Sequence, residues 1–582
     1  MRGPRRKAAA AALALTLAAG TACAGVSPPL TAAAPDTLAA ADDGGILTPP
    51  MGWNSWNSIG LGVDEAKVRA EARALVTSGL RDLGYDYVVL DGGWRARTRD
   101  AHGNLRADPR KFPNGIRALA SYVHSLGLKF GLHQGVGMSD CSGTGPGTQT
   151  APGGAQQDAN TFASWGVDFL KFDLCAYKYP AGTTPGAPDF AALVVRNGTT
   201  EVGRYQAVSA ANKLGGGARV APCAQCSNGE DVTGIGLRDG SLQLTEVFAP
   251  AAGNYTLDID YVNVDHSGAE ITNPLRRRRV ALLSVNGGAP TVTSYPVPIG
   301  PDGTPIDWGA LSTVSVTVHL DAGENTLKLS DPSSYEDVVR GAYARMAEAI
   351  RRTGRQIVLS ISEHGETRPW LWAPQLGAMW RTTDDLGDFW SGRKTPEIPG
   401  PGPTSIITAL NEQAGLAAYA GPGGWNDPDM LQVGNGSTTP TEDQAHFSLW
   451  AILAAPLFAG NDLVRMSDEV RGILGNREVI AVDQDLLGLE GQRIYNGGGQ
   501  EIWEKPLADG SVAVVLLDTA PQPALMEVTA QDLDLRAAPT YAVRDLWSHT
   551  TTVSAGLIRA SVPADGAVML RVQAQPPRGG VQ

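Results

Sequence analysis

The feature that most constrains this chain is a repeated unit: a short apolar stretch ends in acidic or other polar residues, and a segment of helical period follows. Asp86-Tyr-Val-Val-Leu-Asp91, Leu128-Lys-Phe-Gly-Leu-His133 and Val167-Asp-Phe-Leu-Lys-Phe-Asp173 read as such strands. Val63 to Leu83 and Gly115 to Leu126 read as helices, the second with Ile116, Leu119, Ala120 and Val123 on one face. Strands separated by helices pair in parallel, because a parallel pair needs a long crossover. The pattern stops after Asp173 and resumes at Tyr335, with a helix through Arg352 and the strand Gln356 to Glu363. Strand ends follow at Met379 to Asp385, Gly423 to Met430 and Leu457 to Asp462. With Met51 to Trp56 as the first strand the count reaches eight, the number that closes a (β/α)8 TIM barrel. The predicted fold is therefore α/β, with the barrel on residues 46–184 and 334–490. Chemistry in such a barrel sits at the carboxyl ends of the strands.

The interruption, 185–333, alternates with period two, as in Tyr255-Thr-Leu-Asp-Ile-Asp-Tyr-Val and Val314-Ser-Val-Thr-Val-His-Leu, and predicts an inserted β-sandwich. The tail, 491–582, has the same character in Ser511-Val-Ala-Val-Val-Leu-Leu and Gly566-Ala-Val-Met-Leu-Arg-Val, and predicts a C-terminal antiparallel β-domain. A chain of 582 residues, 42% hydrophobic, is long enough for several cores, and its 70 Gly and 39 Pro speak for many loops.

Residues 1–24 read as a signal peptide: Arg2, Arg5, Arg6 and Lys7, an apolar Ala/Leu run, then Ala22-Cys23-Ala24. The run is too short to span a bilayer, so a secreted, extracellular protein is expected. Losing those four cations takes the formal charge from −13 to −17, which excludes a nucleic-acid surface and suits a neutral substrate. That charge argues for sugars or peptides as substrate, with no nucleic acid and no membrane; an aromatic, carboxylate-lined cleft at the strand ends narrows the expected partner to an oligo- or polysaccharide. Four cysteines then remain, Cys141, Cys175, Cys223 and Cys226; an even count in an exported chain favours disulfides over metal, and the close Cys223/Cys226 pair is expected to bond.

Lys171-Phe-Asp173-Leu-Cys175 is the sharpest local signal. At strand period Lys171 and Asp173 share a face, so a cation beside Asp173 keeps it ionised and fit to act as a nucleophile. The second candidate is Trp380-Arg-Thr-Thr-Asp384-Asp385; neighbouring residues on a strand point oppositely, so only one of the two acids is expected to face the pocket. Crowding against Asp173 would raise the pKa of the second carboxyl and keep it an acid. Trp53, Trp56, Trp94, Trp370, Trp372, Trp380 and Trp425 cluster at the same strand ends, and aromatic platforms suit the C–H faces of pyranoses. The chain has no Walker loop, no Gly-x-Ser-x-Gly elbow and no His-Glu-x-x-His pair. Two carboxylates in an aromatic cleft then point to glycoside hydrolysis, with no metal or cofactor.

These motifs resemble glycoside hydrolase family 27, the α-galactosidase (melibiase) clan. The resembling stretches are Pro50-Met-Gly-Trp53-Asn-Ser-Trp56-Asn, Leu90-Asp91-Gly-Gly-Trp94, Lys171-Phe-Asp173-Leu-Cys175, Ser360-Ile-Ser-Glu363, Trp380-Arg381-Thr-Thr-Asp-Asp385, Gly423-Gly-Trp-Asn-Asp427-Pro-Asp429-Met430-Leu and Ala454-Ala-Pro-Leu-Phe. The resemblance implies a secreted, exo-acting α-galactosidase working by retaining double displacement, with Asp173 as nucleophile and Asp385 as acid/base. It further implies sugar contacts from Trp53, Asp91, Lys171, Glu363, Arg381 and Asp429, and a Cys141–Cys175 disulfide, leaving Cys223 to Cys226. The insert resembles the carbohydrate-binding modules of families 6 and 35, through Asn254 to Asn263, Val285-Asn-Gly-Gly and Leu320 to Leu329. That implies polysaccharide targeting and a candidate structural Ca2+, with a rigid spacer as the alternative.

Four positions depart from the family pattern. Gly92 replaces the second of two consecutive acids, His133 a tyrosine, and Ser362 and His364 a cysteine and a tryptophan beside Glu363. All four are expected to line the glycone pocket, His133 and His364 as sugar contacts. A lost hydrogen-bond partner can change specificity by orders of magnitude. A different glycone on the same machinery is therefore a second expectation: an isomaltodextranase-like α-glucan hydrolase or a β-L-arabinopyranosidase. A non-catalytic sugar-binding protein on the same scaffold is the third, and the joint presence of Asp173, Lys171, Arg381 and Asp385 argues against it.

Overall fold

The computed structural model describes residues 46–181, 183, 186–235, 240–263, 278–296, 310–392 and 403–576. The signal segment expected at residues 1–24 lies outside them. Eight parallel strands form the catalytic frame: β1 Met51–Asn54, β2 Tyr87–Leu90, β3 Lys129–Gly135, β4 Phe169–Asp173, β5 Val358–Ser362, β6 Met379–Arg381, β7 Trp425–Asp427 and β8 Leu457–Ala459. From β1 to β7 neighbours pair in sequence order, and β8 pairs with β1. The ring is completed just past β7, where Leu431 N–H donates to the Phe458 carbonyl at 2.8 Å and Gly460 N–H to the Leu431 carbonyl at 3.1 Å. The expected TIM barrel is observed.

Period two sets what each strand puts inside. Tyr87, Val89, Phe169, Met379, Trp425 and Phe458 fill the barrel floor as one buried cluster. Continuing along the same faces, Phe169 leads to Lys171 and Asp173, Val89 to Asp91, and Met379 to Arg381, so an apolar floor gives way to a charged roof at the carboxyl ends. In register, His133 of β3 stands beside Lys171, and Ser362 of β5 beside Asp173. Residues of opposite parity, Trp53 and Trp380 among them, face outward into the core shared with helix residues such as Val68 and Leu75.

The outer helices follow from sequence. Asp64 caps Glu65–Thr77 by accepting from Lys67 N–H, and Thr439 with Glu442 forms a capping box for Pro440–Ile452. The helix expected over Val63 to Leu83 is shorter, since Gly79 takes a left-handed φ of +85° and a single 3-10 turn, Arg81–Leu83, completes the segment.

Between β4 and the helix Tyr335–Thr353 the chain makes the insert. One sheet runs Thr291–Pro296, Arg278–Val285, Gly323–Ser330, Ser241–Ala249, Lys213–Gly215; the other runs Ser312–Leu320, Gly253–Val262, Asp189–Asn197, Glu230–Thr233, Arg219–Pro222. Phe190, Leu193, Leu242, Leu257, Ile259 and Leu327 are among the residues of its separate core. The legs leading in and out are clipped together by Tyr179 stacked on Tyr335, with ring centroids 5.1 Å apart. The barrel thereby tolerates the insertion at its functional end. Cys223 and Cys226 form a disulfide inside the insert. Among the insert's described residues, the group of candidate metal ligands is Cys223, Cys226 and Asp231. Its two sulfurs are consumed by that bond.

The tail is the expected antiparallel domain. Its main sheet runs Gln492–Gly497, Gln500–Pro506, Val512–Asp518, Gly566–Gln575, Thr540–Asp545, Thr551–Ser554, faced by the pair Ala524–Thr529 and Leu557–Val562. Along Val512–Asp518, Ala513, Val515 and Leu517 join the barrel's core, while Val512, Val514 and Leu516 join the domain's own. Among the described residues no helix is long and apolar enough to cross a membrane.

Candidate active site

A cavity of about 880 Å³ opens at the carboxyl ends of the strands, lined by Asp91, His133, Lys171, Asp173, His364, Asp385 and Asp429 among others. Seven residues scattered over the sequence thus converge as expected. Three others do not reach it. Trp53 lies on the outward face of β1 and donates its indole N–H to the Asn461 carbonyl at 2.8 Å. Glu363 follows the inward Ser362 and is therefore turned outward, where it accepts from Thr367 N–H at 2.8 Å and Thr367 Oγ1 at 2.9 Å. Arg381 faces inward but lies beneath the acids, with 1% of its side chain exposed. Of the three, Arg381 supports the cavity from behind its wall, through Asp385 and Asp429.

Asp173 ends β4, buried, with one histidine at each carboxylate oxygen: His133 Nε2 stands 3.4 Å from Oδ2 and His364 Nε2 3.4 Å from Oδ1. The cation expected beside it, Lys171, instead donates to Asp91 Oδ2 at 3.2 Å. Burial works against the Asp173 charge, but His364 and the His133 hydrogen bond outweigh it and hold the carboxyl well below the usual range. Arg95 Nη2 reaches His133 Nδ1 at 2.9 Å. A guanidinium can only donate, so Nδ1 carries the lone pair and Nε2 carries the proton that points at Asp173.

Asp385 lies beyond the end of β6, 63% exposed, 3.8 Å from the same His364 nitrogen and 3.2 Å from Arg381 Nη1. One imidazole nitrogen thus stands close to both candidate catalytic carboxylates. The desolvating wall and Asp173 push the Asp385 carboxyl up, but His364 and Arg381 prevail and its pKa is lowered. The crowding expected to keep it protonated is overruled by these two cations. Asp384 also lines the cavity, against the expectation that only one of the pair would. β6 stops at Arg381, so strand alternation does not govern the following loop. Asp384 is buried, and desolvation pushes its carboxyl up to about 8.

Asp91 accepts from Lys171, from Asn54 Nδ2 at 2.9 Å and from Gly92 N–H at 2.7 Å. Burial opposes its charge, yet Lys171 and these donors hold it at about 2. Asp429, at φ +83°, accepts from Arg381 at 3.1 Å and from Leu386 N–H at 2.8 Å. The Cys141–Cys175 disulfide forms, and Cys141 joins the cavity wall. Of the seven tryptophans expected to form a platform, only Trp56 lines the cavity; the other six are buried in the cores. Gly92 abuts it: a Cβ there would sit 3.1 Å from Trp56 Cζ3, so the ring occupies the space of the missing acid. Gln432 and Asn435, hydrogen-bonded to each other, complete the wall. Sequence reasoning passed over them, since amides in a loop carry no distinguishing spacing; their nearness to Asp429 was the one available signal.

Comparison with known proteins agrees with this arrangement. The family described as Alpha galactosidase A matches residues 48–206 and 309–485, and the Alpha galactosidase C-terminal beta sandwich domain matches 497–572. An alpha-galactosidase of Oryza sativa subsp. japonica is 30% identical over 515 residues, spanning 88% of this chain and 82% of that one. Alpha-galactosidase A of Cellvibrio japonicus is 30% identical over 535 residues, 90% and 92% of the two chains. The crystal structure of alpha-galactosidase I from Mortierella vinacea superposes with a TM-score of 0.62 at 25% identity, covering 92% of this chain and 99% of that one. In fold alone, a β-L-arabinopyranosidase of Geobacillus stearothermophilus is also similar, with a TM-score of 0.56 at 18% identity over 92% and 98% of the chains. Family match, homologues and site chemistry agree: this chain belongs to glycoside hydrolase family 27, the α-galactosidase family, and is a glycoside hydrolase.

Proposed function

We propose that this protein is an exported, exo-acting α-galactosidase that works with retention by double displacement. The observation that carries the reading is the pair Asp173 and Asp385 facing one nitrogen of His364 across a single cavity, the first buried and ionised, the second open to the leaving-group side. In a retaining glycosidase two carboxyls about 5–5.5 Å apart flank the scissile bond. Asp173 attacks the anomeric carbon and forms a glycosyl ester while the leaving oxygen takes a proton from Asp385. Asp385 then removes a proton from water, which attacks the same carbon and releases Asp173. Lys171, Asp91 and Asp429 orient glycone hydroxyls, and Arg381 fixes Asp385 and Asp429 from beneath. Side chains supply every group that this chemistry uses. Export is supported by the basic, then apolar, then small-residue leader and by two disulfides.

A second glycone reading is favoured by one local observation: Trp56 fills the place beside Gly92, and His133 and His364 border the nucleophile. An isomaltose or arabinopyranose unit would use the same acids with different hydroxyl partners. Initial rates on p-nitrophenyl α-D-galactopyranoside, α-D-glucopyranoside and β-L-arabinopyranoside and on dextran decide between the two. The galactoside should be turned over with the highest kcat/KM, and preference for another sugar rejects the galactosidase reading. Asp173→Asn should reduce turnover on the preferred substrate to background, since an amide forms no glycosyl ester; undiminished kcat would reject the assigned nucleophile.

A further inference from the structure

His364 sits where neither sugar binding nor packing accounts for it fully. Its Nε2 lies 3.4 Å from Asp173 Oδ1 and 3.8 Å from Asp385 Oδ1, between the two carboxylates. Its backbone is left-handed, φ +61°, a conformation that disfavours a non-glycine residue and is kept only where surroundings enforce it. The brace is Glu363, which ties down the following turn through Thr367. Two carboxylates facing one imidazole favour its charged form. From β4 the group facing it is Asp173, and beyond β6 they are Asp385 and Asp384, with the Arg381 guanidinium as the opposing cation. His133 stands on the far side of Asp173, its Nδ1 occupied by Arg95 and its Nε2 toward Asp173 Oδ2. Burial lowers the His364 pKa, but Asp173 and then Asp385 raise it to about 10, while both aspartates are lowered. The resting site therefore holds its mobile proton on His364, and Asp385 is an empty base.

We propose that His364 stores, as an imidazolium, the proton that Asp385 hands to the leaving group, and that attack by Asp173 triggers its release. The inference rests on the double-displacement reading above. When Asp173 bonds to the anomeric carbon its negative charge is consumed, and the ion pair that held the His364 proton is lost as the glycosidic oxygen gathers charge. The proton passes from His364 Nε2 to Asp385 and on to that oxygen, leaving neutral imidazole and a free alcohol. In the second half Asp385 takes a proton from the attacking water, the ester bond to Asp173 breaks, the carboxylate returns, and His364 recovers the proton. Protons and charge balance over the cycle. His364 acts through Asp385 and is a positioning residue for the proton.

The test uses the full chain and whichever aryl glycoside it turns over, so a wrong glycone assignment leaves it intact. In His364→Gln, Asp385 must hold the proton itself, and the alkaline limb of kcat/KM should fall by about one pH unit or more. The variant should lose about tenfold more on an oligosaccharide or alkyl glycoside, whose leaving group needs the proton, than on a 2,4-dinitrophenyl glycoside. An unchanged alkaline limb, or an equal loss on all leaving groups, overturns the proposal. If the variant does not fold, 15N-histidine spectra of the wild-type protein at pH 8 serve, before and after esterifying Asp173 with a 2-fluoro glycosyl fluoride. One imidazolium should become neutral on esterification, and no change in any histidine overturns the proposal. Failure of the reagent to label Asp173 would remove the double displacement and this inference together.

Discussion

Arg381→Met separates two roles that this arginine could have. The sequence motif marked it as a sugar contact, whereas the fold buries it beneath the acids. Its Nη1 lies 3.2 Å from Asp385 and 3.1 Å from Asp429, and its Nη2 donates to the carbonyls of Asp384 at 2.7 Å and Thr383 at 3.1 Å. Methionine fills the volume and removes all of these. Asp429, itself buried, would keep the Leu386 N–H at Oδ2 and lose the partner of Oδ1. Stripping one partner from a buried ion pair costs about 3–5 kcal/mol. A loss of that size should appear in urea unfolding followed by tryptophan fluorescence, together with a fall in kcat as Asp385 loses its tether. Arg381→Lys should recover part of the stability, since one ammonium can meet one carboxylate but not the fork. Unchanged stability with a raised KM alone would refute the reasoning, because it would mean that the guanidinium reaches sugar.

Two further expectations come from neighbouring residues. Lys171→Met should make the protein more acid-labile. The Asp91 carboxyl, held at about 2, contributes stability that is present above its unfolded value near pH 4 and lost as pH falls through 2. Without Lys171 the folded pKa rises and that loss begins at higher pH, so an acid-unfolding midpoint by circular dichroism that does not move would rule this out. Gly92→Asp must push Trp56 aside by a few tenths of an ångström, since its Cβ would meet the ring at 3.1 Å. The variant should gain galactoside activity relative to the other glycosides, with Gly92→Ala reading the steric effect alone; an equal rate ratio in the two variants would remove the missing acid as the determinant.

Period two and helical period were enough to place all eight barrel strands, both β-domains and the interruption between β4 and Tyr335, because those periods arise from the backbone itself. They also put Lys171, Asp173 and Asp91 at strand ends. The same rule, applied past the end of β6, wrongly separated Asp384 from Asp385, since a loop has no alternation to obey. The tryptophans misled in another way: Trp53 and Trp380 are close to the acids in sequence but on the opposite faces of their strands, and one residue of offset turns a sugar platform into outer core.

What the sequence determined alone was the kind of scaffold and which carboxyls stand at its strand ends. Which charge meets which was decided only by closing the barrel. Lys171 of β4 pairs with Asp91 across the intervening β3, and Asp173 is left to two histidines that come from β3 and from the turn after β5. Local pattern is short-ranged and follows the chain, but a carboxyl's charge state depends on everything within a few ångströms of it. At this site those neighbours come from segments separated by an entire inserted sandwich.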